Sequence, residues 1–204
     1  MIYSLSEIDA TCKKAARGAG FSWGYAEETG KAARWLAAHQ LPGAALLADY
    51  LTLQKENPED YQGSAARCPL LTGAMLCDSG HGEMETSVVF EQVVYPLLLL
   101  PYLTQLSKAA DVGFRIQWPG TFIRCRNGAI YIKQEGSIAV AEATNVSCDW
   151  LEADATITMD ESFVRAAGAV GQFVEPNHWE ALEALAHLTY VPATEESRRG
   201  AGPT

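Results

Sequence analysis

The chain opens on a helical pattern. Ser4-Leu5-Ser6-Glu7 is a capping box, in which a serine and the glutamate three residues on satisfy each other's backbone donors at a helix start. Ile8, Cys12, Ala15 and Ala19 then recur at the spacing of one helix face, and Gly18 and Gly20 end the element. Ser22 caps a second helix running to about His39. Its positions 26, 30, 33 and 37 are Ala, Gly, Ala and Ala. Side chains that small let a neighbouring helix approach closely, and the short glycine-rich turn makes helix one the partner in an αα-hairpin. Pro42-Gly43 breaks the chain, and a third helix follows from about Ala44 to Gln54, with Leu47, Tyr50, Leu51 and Gln54 on one side. Lys55 to Gln62 is polar, carries Pro58 and reads as loop.

The middle of the chain changes period. Leu70 to Cys77 is a short apolar run that fits strand or helix, and Asp78 to Glu85 reads as a loop with two glycines. Ser87 to Val94 is rich in β-branched residues and predicts a strand. Val93 to Leu103 is the most apolar stretch; it is too short to span a bilayer and reads as core. Pro96 is compatible with the first turn of a helix over Leu97 to Ala110, and Pro101 kinks or restarts it. Phe114 to Trp118 alternates apolar and polar residues, Pro119-Gly120 is a turn, and Phe122–Arg126 and Ile130–Gln134 flank Asn127-Gly128, a strong hairpin signal. Ile138–Ala143 and Ala155–Met159 are further strand candidates. Asp160 caps a helix to about Gly171, Glu175-Pro176 breaks it, and Asn177 with Glu180 opens another to about Leu188. The fold class expected is α+β: an N-terminal helical hairpin plus helix, a central mostly antiparallel sheet, then C-terminal helices. One globular domain is expected, divided into a helical part over 1–56, a sheet-rich core over 66–159, helices over 160–190 and an extended tail over 191–204.

Composition narrows the function classes. Hydrophobic residues make up 48% and charged residues 20% of the chain, so a packed core is expected. A net charge of −10 works against nonspecific binding to nucleic acid or to anionic membranes. Met1-Ile2-Tyr3-Ser4 lacks the basic and apolar regions of a secretory signal, and five scattered cysteines do not read as a disulfide framework, so a cytoplasmic location is expected. Phosphate-binding loops, dinucleotide fingerprints, nucleophile elbows and zinc-protease motifs are missing, and no cofactor is implied.

Four places carry candidate chemistry. Glu27, Lys31 and Arg34 share one stripe of helix two, with Trp23 one turn before Glu27 and Trp35 one turn beyond Lys31; a carboxylate, two cations and aromatic edges suit a small anionic ligand, or simply a solvated helix face. Cys77, Asp78, His81 and Glu83 place thiol, imidazole and carboxylates within seven residues, a donor set that zinc accepts. Arg115, Arg124 and Arg126 form a basic cluster, joined by Lys133, with Arg124 and Arg126 on one strand face; this suits a carboxylate or phosphate. The C-terminal segment holds Tyr190, Thr194, Glu196, Ser197 and Arg198, groups able to complete a site or dock on a second copy.

The stretch from Leu5-Ser6-Glu7-Ile8 through Lys14-Ala15-Ala16-Arg17-Gly18-Ala19-Gly20, Trp23-Gly24, Ala26-Glu27-Glu28 and Gly30-Lys31-Ala32-Ala33 resembles an uncharacterised bacterial family, domain of unknown function 3726. The ending Tyr190-Val191-Pro192-Ala193-Thr194-Glu195-Glu196-Ser197-Arg198 with Gly200-Ala201-Gly202 is similar as well, and Gly73 to Asp78 fits loosely. The likeness covers most of the length and is sharpest at the two ends. It implies a cytoplasmic bacterial protein and adds no mechanism. The expectation is a small-molecule enzyme or ligand-binding protein acting on an anionic metabolite by non-redox chemistry, with a site between helix two and the returning tail. The alternative is a non-catalytic accessory or homo-oligomeric interaction protein.

Overall fold

A computed structural model describes residues 1–58, 68–79, 87–126, 128–151 and 162–190. The architecture is α+β, with N-terminal helices, a six-stranded antiparallel sheet and a C-terminal helix. Strand β1 (Ile2–Ser4) leads into α1 (Leu5–Gly18), where the Ser4 side chain accepts from the Glu7 amide and the Glu7 carboxylate accepts from the Ser4 amide. Helix α2 (Trp23–Ala38) starts at its Ser22 cap. Ala26, Gly30, Ala33 and Ala37 are all buried, and α1 packs along them as the small-residue stripe requires. A Cβ at Gly30 would lie 2.7 Å from the carbonyl oxygen of Asp9 and 3.0 Å from the Cβ of Lys13. Helix α3 (Gly43–Glu56) buries Leu47, Tyr50 and Leu51.

Helix α4 (Pro69–Ser79) resolves the ambiguous apolar run to Cys77 as helix and takes in Asp78 and Ser79, which the sequence placed in a loop. Leu70, Gly73 and Ala74 are buried in it, and it lies on α5 (Leu100–Ala110). Strand β2 (Ser87–Val94) is followed by a 3-10 turn over Pro96–Leu99 and then by α5, with Pro101 in its first turn, so Pro101 restarts the helix. Strands β3 (Gly113–Trp118), β4 (Thr121–Arg126) and β5 (Ala129–Gln134) form the expected meander. Arg126 pairs with Ala129 across the hairpin; Asn127 itself lies outside the described residues.

Three expectations are corrected. Residues 138–141 are not strand; the strand is β6 (Glu142–Leu151). Ile138 and Val140 pack against the core without joining the ladder, and in β6 the left-handed Asn145 (φ 53°) shifts the buried positions from Ala143 to Val146 and Cys148, which hides the alternation. The helix expected from Asp160 to Gly171 is not found among the described residues. That stretch holds β7 (Val164–Arg165) and the start of β8 (Gly171–Phe173). The amides of Ala166 and Ala169 bond to Ile130 and Ala38, so backbone groups are satisfied by other elements instead of by a helix. The last helix, α6 (Pro176–His187), starts after Glu175, which makes no side-chain cap, rather than at Asn177, because Pro176 has no amide to satisfy and a dihedral already suited to a first turn. Asp160 and the strand expected over 155–159 lie outside the described residues.

The large sheet has the order β2-β6-β3-β4-β5-β7 with antiparallel pairing throughout, and β1 pairs with β8 in a separate ribbon. Phe114, Ile116, Ile123, Cys125, Val146 and Cys148 form its buried face. The run Val93–Leu103 is buried from end to end and touches α3, α4, α5 and β6 through its 3-10 turn. Helix α6 covers α1 and α3, with Tyr3 and Trp179 stacked at 3.6 Å between ring centroids. All five cysteines are free thiols. Among the described residues no helix is long and apolar enough to cross a membrane.

The close approach at Gly30 predicts a contrast between two glycines of α2. Gly30→Ala should lower stability to urea by about 1–3 kcal/mol, since α1 must move away. Gly24→Ala should be neutral or stabilising, since its Cβ meets nothing nearer than the Ser22 hydroxyl at 4.0 Å. Equal effects would contradict the packing.

Candidate functional site

The stripe on α2 divides between two sides. Lys31 lies 3.2 Å from Glu27 and 2.9 Å from Glu28, two carboxylates that together hold its ammonium above the usual lysine range. Arg34 leans the other way, 3.7 Å from Asp9 on α1, and Trp23 stands exposed with the Arg17 guanidinium 5.4 Å from its ring centre. Tyr190 rests on α1, where Lys14 lies 5.2 Å from its ring centre and His187 stacks edge-on at 5.1 Å. Thr194, Glu196, Ser197 and Arg198 lie outside the described residues. Trp23 and Arg34 are therefore directed towards α1, away from Lys31.

The arginine cluster lies across the sheet. The register aligns Ser87, Asp149, Arg115, Arg124, Tyr131 and Arg165 in one transverse row. Arg115 donates through Nε and Nη2 to Asp149 at 2.9 and 2.8 Å, and Ser87 donates to the other oxygen of that carboxylate at 2.7 Å. Arg124 lies 5.0 Å from the centre of the Phe163 ring, and Arg126 follows two residues along on the same face. Arg115 is thus engaged by a charge-assisted pair within the sheet.

Of the metal candidates, Cys77 and Asp78 occupy the last turn of α4, while His81 and Glu83 lie outside the described residues. Among the described residues no three His, Cys, Asp or Glu side chains are grouped to hold a metal. The Cys77 thiol donates to the Tyr102 carbonyl at 3.4 Å. Burial, with Asp78 and Glu28 adding negative charge, pushes its pKa up to about 11.

These residues converge on a seam that the sequence did not reveal. Two helical stripes face each other: Glu28, Lys31, Ala32 and Trp35 on α2, and Pro101, Tyr102, Thr104, Gln105 and Lys108 on α5. Each stripe steps by three or four residues, the spacing of one helix face. Between them lies a groove of about 250 Å³. A second hollow of about 230 Å³ shares Glu28, Tyr102 and Gln105 with it and extends to Ala74, Cys77 and Asp78. The two make one trough along three helices. Its floor is Tyr102, which is buried at 3% exposure beside Thr29. The Thr29 hydroxyl donates to the Tyr25 carbonyl at 2.8 Å. Burial raises the Tyr102 pKa further above its ordinary value. Gly73 lets α4 sit against this ring, since a Cβ there would overlap Tyr102. Trp35 closes one end, half-buried, with its ring centre 4.0 Å from that of His39.

The trough adjoins the part of the chain that resembles known sequences. Residues 3–65 match the model of a family described as a protein of unknown function, DUF3726. The resemblance of the N-terminal motif is borne out over that span, which holds α1, α2 and α3; the matched span includes neither the tail nor Gly73 to Asp78. No curated protein and no solved structure matches the chain. The α2 wall of the trough thus belongs to the matched segment and the α5 wall does not.

The raised thiol predicts a pH profile. Between the ordinary cysteine value and about 11 the folded chain keeps the Cys77 proton that an unfolded chain has lost. Alkylation of native protein by iodoacetamide should label Cys77 first, because the other four cysteines are buried, and its rate should climb through pH 10 without levelling. A plateau below pH 9 would contradict the environment described.

Proposed function

We propose that the protein binds a small carboxylate-bearing metabolite in the trough between α2 and α5. The observation that carries this reading is the meeting of Lys31 and Lys108, from helices far apart in sequence, on the walls of one groove beside a half-buried tryptophan. Two ammonium groups offer charge-assisted hydrogen bonds to a carboxylate, and Lys108 sits in the last turn of α5, where the helix dipole favours a cation. The apolar edges of Trp35, Ala32 and Pro101 cover the rest of a small ligand, in keeping with sites that are mostly apolar with a few placed polar groups.

Binding is favoured over catalysis. The thiol and phenol at the trough, Cys77 and Tyr102, are both pushed further from neutrality by burial. A nucleophile or general base needs the opposite shift. This reading is narrower than a site shared with the C-terminal tail, and it uses Lys31 from the α2 stripe without Arg34.

A thermal-shift screen of monocarboxylates, dicarboxylates and amino acids tests it. At least one compound should raise the midpoint, because a ligand at 100 times its Kd adds about 2.7 kcal/mol. Lys108→Ala should weaken that compound about tenfold or more, the loss expected for one charge-assisted bond. A screen without a shift, or a shift unchanged in both Lys31→Ala and Lys108→Ala, would overturn the proposal.

A further inference from the structure

The two ends of the trough carry opposite charge. At one end stands Lys108; at the other Asp78 shares a wall with Cys77. Glu28 and Lys31, paired at 2.9 Å, lie between, so the lining runs from the acids Asp78 and Glu28 to the bases Lys31 and Lys108. Asp78 lies in the last turn of α4, where the helix dipole disfavours a negative charge, so its carboxylate gains from a cation brought to it. A simple dicarboxylate would place its second charge against two acids. A plain amine would meet two ammonium groups. A molecule bearing both signs matches the charge at both ends.

We infer that the ligand is a zwitterion, an amino acid or short peptide, with its carboxylate at Lys31 and Lys108 and its ammonium between Glu28 and Asp78. This rests on the trough being the binding site and adds the class of ligand. Tyr102 forms an uncharged floor beneath the ligand's chain, and the Gln105 side chain stands where both hollows meet. No bond is made or broken; the specificity comes from charge placement and from the separation of the two ends.

The test is calorimetric titration of the full chain with matched probes: 4-aminobutyrate, 5-aminopentanoate and 6-aminohexanoate against glutarate, adipate and hexanoate. At least one ω-amino acid should bind tenfold or more tighter than the dicarboxylate and the monocarboxylate nearest it in length. Asp78→Asn, an exposed substitution at a helix end, should remove most of that preference while leaving the unliganded melting midpoint unchanged or slightly raised, since it removes a charge the helix dipole disfavours. Lys108→Ala should weaken amino acids and dicarboxylates alike. Dicarboxylates binding as tightly as the amino acids, with Lys108→Ala weakening both, would overturn the zwitterion and leave the carboxylate site standing. An amino-acid preference that survives Asp78→Asn would do the same. No binding by any probe, or binding indifferent to Lys108→Ala, would overturn both.

Discussion

The buried run from Val93 to Leu103 is the constraint on which the rest of the structure depends. It leaves the sheet as the end of β2, turns through the left-handed Tyr95 and the 3-10 segment, and enters α5 without surfacing. Eleven consecutive positions with so little polar side-chain surface cannot be placed at an exterior without large cost, so helices and sheet must close over them from opposite sides. The Tyr95 amide finds the Ala141 carbonyl, which anchors the turn to the segment entering β6. The direction of α5, and hence which of its faces meets α2, follows from this anchoring.

The trough is a consequence of that arrangement. Helix α2 gives its small residues to α1, which leaves its neighbouring face, Glu28, Lys31 and Trp35, to meet α5 across a gap. Tyr102, buried between α2 and α5 beside Thr29, is too large to let the helices close fully. Polar residues above it hold the walls apart and line the groove. Packing and site are thus set by the same residues: Gly30 on one side of α2 and Tyr102 beyond the other.

Much of this fold is legible in the sequence because its signals are local. The Ser4–Glu7 capping box, the Ser22 cap, the small stripe of α2 and the Asn-Gly hairpin each act within a few residues of themselves, and each element follows. Strand β6 was hidden because Asn145 moves its alternation by one place. The stretch before α6 looked helical by composition, yet its amides bond to Ile130 and Ala38, partners remote in sequence. The site was legible by half for the same reason. Lys31 announces itself through Glu27 on the adjacent turn, but Lys108 and Tyr102 read as an ordinary helix surface and an ordinary core residue until α5 is laid against α2. Arg34 and Trp23, equally prominent in sequence, are drawn to Asp9 and Arg17 of α1.

The central claim is that the seam between α2 and α5 is where a small ligand sits. The most direct measurement is an amide-resolved NMR titration with 5-aminopentanoate. Shifts should concentrate at residues 28–35, 74–78 and 101–108, with the sheet face around Arg115 and Arg124 unchanged. Shifts confined to the sheet face, or an unperturbed spectrum at saturating probe, would contradict it.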